Sequence, residues 1–115
     1  TRRALEGGAR GIVAVGGDGT LSECVQGFFQ GGANAFPGAV LGYVPCGTGG
    51  DFRRTLGWDA GVAECVRRVL EPSVEPLDVG HVRMRQQGGW VDGSGDAYFV
   101  NVSSVGSSAV IARID

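Results

Sequence analysis

Gly11-Ile12-Val13-Ala14-Val15 runs straight into Gly16-Gly17-Asp18-Gly19-Thr20-Leu21-Ser22-Glu23, and the reading of that junction decides the fold. The first five residues form a short apolar run rich in β-branched side chains, the pattern of a strand buried on both faces of a parallel sheet. The glycines stop it. Beyond them Leu21, Cys24, Val25, Phe28 and Phe29 recur at i, i+3, i+4, i+7 and i+8, which makes one apolar helical stripe. Thr20, three residues before Glu23, reads as a capping box, and Gly31-Gly32 as the C-terminal stop of the helix.

The unit then recurs. Ala39-Val40-Leu41-Gly42-Tyr43-Val44 is a second buried-strand pattern, followed by Pro45-Cys46-Gly47-Thr48-Gly49-Gly50 and Asp51-Phe52. The two strands are about 30 residues apart, the length of a βαβ unit. A short helix is expected from Phe52 to Leu56, stopped by Gly57. A longer one follows, with Asp59 as its cap and Val62, Ala63, Val66, Val69 and Leu70 on its inner face. Arg67 and Arg68 fall on or beside its solvent face. From Ser73 the style changes: runs at 79–85 and 97–103, separated by a long polar turn, predict an antiparallel hairpin. The expected fold is α/β, a Rossmann-like parallel sheet with Gly-rich loops, followed by the start of an antiparallel β domain. The expected boundary divides residues 1–72 from 73–115.

Composition narrows the chemistry. Glycine supplies 22 of the 115 residues, yet with only 4 Pro and 43% hydrophobic residues the chain is neither collagen-like nor a linker. All ten basic residues are Arg, so lysine-based phosphate loops and Schiff-base lysines are excluded. A net charge of −2 provides no basic field for nucleic acid. Cys24, Cys46 and Cys65 are far apart and odd in number, which speaks against a disulfide framework or a zinc site and points to an intracellular, cytoplasmic setting. No apolar run approaches the roughly 20 residues of a membrane span, so any membrane contact would be peripheral. The lack of an initiating Met and the abrupt end at Asp115 suggest a fragment.

Six of the glycines, Gly16, Gly17, Gly19, Gly47, Gly49 and Gly50, sit in two loops that each leave a strand and enter a helix. Parallel strands joined by a crossover bring both loops to one sheet edge, where open α/β sheets bind ligands. Backbone N–H groups there, with the positive end of the helix dipole, make an anion site that needs no lysine. Asp18 among them would repel a phosphate unless something compensates. Mg²⁺ is one compensator; alternatively Asp18 accepts the proton of an attacking hydroxyl. Asp51 reads either as a ligand-side carboxylate or as a helix cap.

With both loops in view, the chain resembles the diacylglycerol kinase catalytic domain family, which includes bacterial lipid kinases and, more distantly, sphingosine and ceramide kinases. Gly16-Gly17-Asp18-Gly19-Thr20-Leu21-Ser22-Glu23 matches its G-G-D-G-T-x-x-E motif. Residues 45–57, from Pro45 to Gly57, match P-x-G-T-x-N-D-F-x-R-x-L-G, with Gly50 standing where the family has Asn. Leu77-Asp78-Val79-Gly80 and Tyr98-Phe99-Val100-Asn101-Val102-Ser103 look like the entry into its β-rich second domain. The resemblance implies transfer of the γ-phosphate of ATP to a lipid hydroxyl such as that of diacylglycerol or a sphingoid. It also implies Mg²⁺ held at Asp18, and a nucleotide lying along residues 16–23 and across Gly47, Thr48, Gly49 and Asp51. A strand before Thr1 and most of a lipid-binding domain after Asp115 are expected to complete it. A NAD kinase-like enzyme, sharing G-G-D-G, and a non-catalytic nucleotide-binding or regulatory piece are the alternatives.

Overall fold

The apolar run at residues 11–15 does form a strand of a parallel sheet. Of the 115 residues, a computed structural model describes 1–47, 51–55, 57, 61–86, 89–90 and 95–100. A short helix not anticipated from the sequence, α1 (Arg2–Glu6), precedes strand β1 (Gly11–Gly16) and buries Leu5. Helix α2 (Asp18–Gln26) follows the first glycine loop, then a small hairpin of β2 (Phe29–Gln30) and β3 (Ala33–Asn34), then strand β4 (Val40–Pro45). β1 and β4 pair in parallel through six positions, from Gly11 opposite Val40 to Gly16 opposite Pro45.

Helix α2 ends earlier than expected. Gly27 is its C-cap, and Gly31 and Gly32, with φ of 59° and 86°, form instead the two-residue turn of the β2–β3 hairpin. Positive φ at both central residues is what the tight hairpin turn demands, and it left those glycines no role in stopping the helix. Phe28 is buried just past the helix end, and Phe29 has moved into β2.

One face of the sheet is packed. Ala14 and Tyr43, direct neighbours across the β1–β4 ladder, join Leu21 of α2 and Phe52 of α3 (Asp51–Thr55) in the core, with Cys24, Leu41 and Val100 packed against them. The other face is covered only in part. Helix α4 (Val62–Leu70) lies over β4, and a methyl group added at Gly42 would touch both Val69 and Val13. Val13 and Val15 are 46% and 60% exposed, so β1 is not buried on both faces as its composition suggested. Among the described residues no second element continues the cover from β4 onto β1. The inner face of α4 is also corrected. Its buried residue is Cys65, with Val69 partly buried on the same line, whereas Val62, Ala63, Val66 and Leu70 are exposed. A helix resting on one strand meets it along a single i, i+4 line, and the rest of a broad apolar stripe stays open.

Gly61 is the N-cap of α4. Asp59, expected there, lies outside the described residues, as do Thr48, Gly49, Gly50, Leu56, Trp58, the middle of the polar turn and everything beyond Val100. On the solvent side of α4 Arg67 bonds Glu64 twice and Glu71 once, and Arg68 bonds Glu64. Those guanidinium hydrogen bonds, first from Arg67 and then from Arg68, hold the Glu64 carboxyl down at about 2. Such exposed pairs contribute little to stability.

The predicted antiparallel hairpin is present as β5 (Gly80–Arg83), β6 (Arg85–Gln86), β7 (Gly89–Trp90) and β8 (Asp96–Phe99), with β5 paired to β8 and β6 to β7. It docks on the C-terminal half of α2. The Gln26 side-chain amide donates to the Tyr98 carbonyl at 2.5 Å, and the Tyr98 N–H donates to Gln26 Oε1 at 3.0 Å. Tyr98 is also stacked between Phe29 and His81, at centroid distances of 4.7 and 5.0 Å, and its hydroxyl accepts from the Gly32 N–H. No helix among the described residues is long and apolar enough to cross a membrane.

One carboxylate with a nearly covered side chain anchors this hairpin. Asp96, its side chain 6% exposed, bonds His81 Nε2 at 2.7 Å and Arg83 Nε at 3.0 Å, and those bonds, His81 first, hold its carboxyl below the usual carboxylate range. The group is then less protonated in the folded chain than in the unfolded one. Its stabilising contribution is complete above the unfolded value near pH 4 and is lost as pH falls through the lower folded value. Replacing Asp96 by Asn is expected to flatten the acid limb of stability between about pH 5 and pH 2. Denaturant unfolding followed by circular dichroism across that range checks it, and equal slopes in the two proteins would contradict the assignment.

Candidate functional site at the junction of two glycine loops

Because β1 and β4 run in parallel, their C-terminal ends open onto one edge, and the two loops meet there through their backbones. The Cys46 N–H donates to the Gly16 carbonyl at 2.8 Å. A Cβ placed on Gly47 would fall 2.5 Å from Gly17 Cα and 3.2 Å from Gly17 N, a collision that no rotamer relieves. Gly16 has φ of 154°, and a Cβ on it would lie 2.6 Å from Thr20 Oγ1. Glycine at 47 is therefore required by the join between the loops, and glycine at 16 by the turn into the helix that carries Thr20. Gly19 differs: nothing lies within 4 Å of the place its side chain would occupy, so the space over it is open.

Helix α2 begins at Asp18, two residues before the expected cap. Gly17 is the N-cap, in an extended conformation, and no side chain caps the helix. Thr20 and Glu23 are exposed members of the first two turns, and the capping box is not formed. The reason is local: the turn at Gly16 already points the chain along the helix axis, and the Leu21 N–H reaches the Gly17 carbonyl at 3.1 Å. The first N–H groups of any α-helix have no acceptor within the helix. Gly19, the second residue of the helix, adds no side chain at that end, and the space over it is open.

Asp18, as first residue of α2, sits where the helix dipole favours a carboxylate. The sequence alone suggested a loop aspartate in need of a compensating charge; the helix end supplies part of that compensation. Its Oδ1 lies 3.5 Å from the hydroxyl of Tyr43, which donates toward it. Tyr43 is 3% exposed, and burial first, then the Asp18 charge, push its phenol above the ordinary tyrosine value. Beside Asp18 opens a recess of about 250 Å³ lined by Asp18, Gly19, Leu21, Ser22, Phe52, Phe99 and Val100. It is polar at the Asp18 end and otherwise largely apolar.

Gly16, Gly17, Asp18, Gly19 and Gly47 are thus brought together. Ser22 and Glu23 are exposed on the helix that starts there, whereas Leu21 is 2% exposed and belongs to the core. Thr48 and Gly49 lie outside the described residues, and Asp51 is known here only as the first residue of α3. Tyr43, Phe52, Phe99 and Val100 were not read from the sequence as residues of the site. The alternation of β4 puts Tyr43 on the α2 side, but only the fold shows that its hydroxyl reaches Asp18.

Among the described residues no three His, Cys, Asp or Glu side chains cluster to hold a metal ion. Mg²⁺ does not need such a cage, since it is commonly held by one or two carboxylates together with substrate phosphates. Asp18 supplies one carboxylate of that kind, while the helix N-terminus beside it favours phosphate oxygens and not the cation. A second recess of about 390 Å³ lies at the other end of α2, between Arg2, Gln26, Gln30, Asp96 and Tyr98. Asp96 is already engaged there by His81 and Arg83, so its chemistry is structural.

The chain is similar over most of its length to a group of known proteins. The family model described as the diacylglycerol kinase catalytic domain matches residues 1–82. The chain is 36% identical over 112 residues to a protein of Chromohalobacter salexigens named "Probable lipid kinase YegS-like", covering 97% of this chain and 32% of that protein. It is 31% identical over 96 residues to the diacylglycerol kinase of Bacillus subtilis, covering 83% and 26% respectively. With the diacylglycerol kinase of Staphylococcus saprophyticus it shares 29% identity over 104 residues, 90% of this chain and 29% of that protein. The chain thus spans between about a quarter and a third of the length of these curated relatives. No solved structure matches it significantly.

Proposed function

From the premise that the chain belongs to the diacylglycerol kinase catalytic domain family, a family of lipid kinases, we propose that it forms the phosphate-binding part of an ATP-dependent lipid kinase. In the reaction a lipid hydroxyl oxygen bonds to the γ-phosphorus of ATP, the bond to ADP breaks and the hydroxyl proton leaves to a base. The observation that carries the reading is the junction itself: two glycine loops fused through Gly17 and Gly47, opening onto the N-terminus of α2 with Asp18 in its first turn.

Each part has a task under this proposal. The N–H groups at the start of α2 bind nucleotide phosphate oxygens, and Gly19 keeps the approach clear. Thr48, Gly49 and Asp51 complete the cradle from the second loop. Asp18 is the carboxylate at the reacting phosphate, where it would hold Mg²⁺ or receive the hydroxyl proton; the metal would supply neutralisation of phosphate charge. The apolar recess beside it is suited to the hydrocarbon next to the acceptor hydroxyl. Residues 1–72 would form the nucleotide-binding part and residues 73–115 the start of the lipid-binding part. In this reading the protein works in the cytoplasm and meets its lipid at a membrane surface.

Replacing Asp18 by Asn keeps the size of the side chain and removes its charge. In the full-length protein it is expected to lower ATP-dependent phosphorylation of diacylglycerol or a sphingoid by about 10²- to 10⁴-fold, the range for loss of a positioned acid–base group. Calorimetry with Mg·ATP is expected to show weaker binding to the variant. Equal binding and equal turnover by both proteins would remove Asp18 from the reaction.

A further inference from the structure

We propose that Tyr43 is a positioning residue for Asp18: its buried hydroxyl faces one carboxylate oxygen and so helps to set the direction of the carboxylate at the junction of the glycine loops. The inference deepens the proposed function and rests on it, since it assumes that Asp18 serves the reaction.

The geometry starts from the ladder. Tyr43 lies opposite Ala14 in the β1–β4 register, and the small Ala14 leaves room for a ring on the face under α2. That ring is 3% exposed and tilts against Phe52 at a centroid distance of 6.0 Å, so packing fixes it and only its hydroxyl hydrogen is free to turn. A buried phenol needs a hydrogen-bond partner. The partner it faces is Asp18 Oδ1 at 3.5 Å. This is long for an O–H···O bond; catalytic hydrogen bonds are often long in the free protein and shorten in the complex.

The charges around the hydroxyl favour its staying a donor. Burial, the Asp18 carboxylate and the Cys46 thiol raise the phenol, and only Arg53 lowers it. A neutral donor on one oxygen fixes the direction of a carboxylate without cancelling its charge, which a cation in that place would do. The backbone of β4 is tied to β1 along its length, so the donor is carried by one of the firmest parts of the chain.

Two measurements on the full-length protein test this. In the first, ¹³C-labelled tyrosines are titrated by NMR, with the Tyr43 signal assigned by its loss in Tyr43→Phe. Asp18→Asn is expected to lower the Tyr43 midpoint, because two of the causes that raise it are then gone. An unchanged midpoint overturns the contact, whatever the protein catalyses. In the second, Tyr43→Phe is compared with the parent protein in phosphoryl transfer. The ring and its packing are kept, so the melting temperature is expected to hold while kcat falls about 10-fold, the low end for loss of an orienting partner. KM for ATP is expected to change much less. Added to Asp18→Asn, the substitution is expected to cost nothing further. A lowered melting temperature with unchanged kcat would make Tyr43 merely structural and overturn the proposal. Full activity in Asp18→Asn would instead sink the underlying reading, even with the contact proved by NMR.

Discussion

Gly47→Ala is expected to part the two glycine loops, lowering stability by about 1–3 kcal/mol, the usual cost of forcing one extra carbon into a packed place, and abolishing measurable Mg·ATP binding. The new methyl group would stand 2.5 Å from Gly17 Cα, and the obstructing atom is backbone, which has no rotamer to escape into. One loop must move by roughly 1 Å to restore ordinary contact, and the Cys46 N–H to Gly16 carbonyl bond beside it would stretch or break. Thermal unfolding and calorimetry together read the effect.

Gly19→Ala is the matching control. Its side chain would enter open space on a helix, where Ala is favoured over Gly by about 1 kcal/mol. Stability should hold or rise while Mg·ATP affinity falls, because the methyl group stands in the path of the phosphates. If Gly47→Ala melts and binds as the parent does, the loop junction is not what shapes the site. If Gly19→Ala binds Mg·ATP unchanged, the phosphates do not approach over α2.

The strands and loops were legible because their signals are local. A β-branched run closed by glycines says strand and turn with no help from the rest of the chain, and two such units about 30 residues apart imply parallel pairing. The hairpin of β5 and β8 was legible for the same reason. What escaped depends on neighbours. The stripe of α4 gave an amphipathic helix but not the line along which it lies on β4, so Cys65 is buried while Val66 and Leu70 are not. The β-branched content of β1 promised two covered faces, but cover is a property of what packs on a strand, and Val13 and Val15 are open. The start of α2 was misjudged because Thr20 and Glu23 satisfy a capping rule that the turn at Gly16 makes unnecessary. In the site, motif spacing led to Asp18 and the glycines. Spacing carries no trace of Tyr43, which reaches Asp18 through a strand register and an opposing alanine.

Phe52→Ala is expected to be the most damaging single change in the core, and its reading depends on separating fold from chemistry. The ring is 2% exposed and packs with Ala14, Leu21 and Tyr43, tying α3 to the sheet and to α2. Truncating a buried Phe costs about 3–5 kcal/mol, against a total stability of about 5–15 kcal/mol for an ordinary domain. A marked fall in melting temperature follows. Phosphoryl transfer would fall as well, since Phe52 backs the Tyr43 ring and lines the recess beside Asp18. Phe52→Leu distinguishes the causes, because it keeps most of the buried volume but loses the flat surface against Tyr43. Its melting temperature should lie well above that of Phe52→Ala. If its activity per folded molecule nevertheless falls as far, the ring acts through the placement of Tyr43 and Asp18 rather than through stability. If activity and melting temperature recover together, Phe52 serves the core alone.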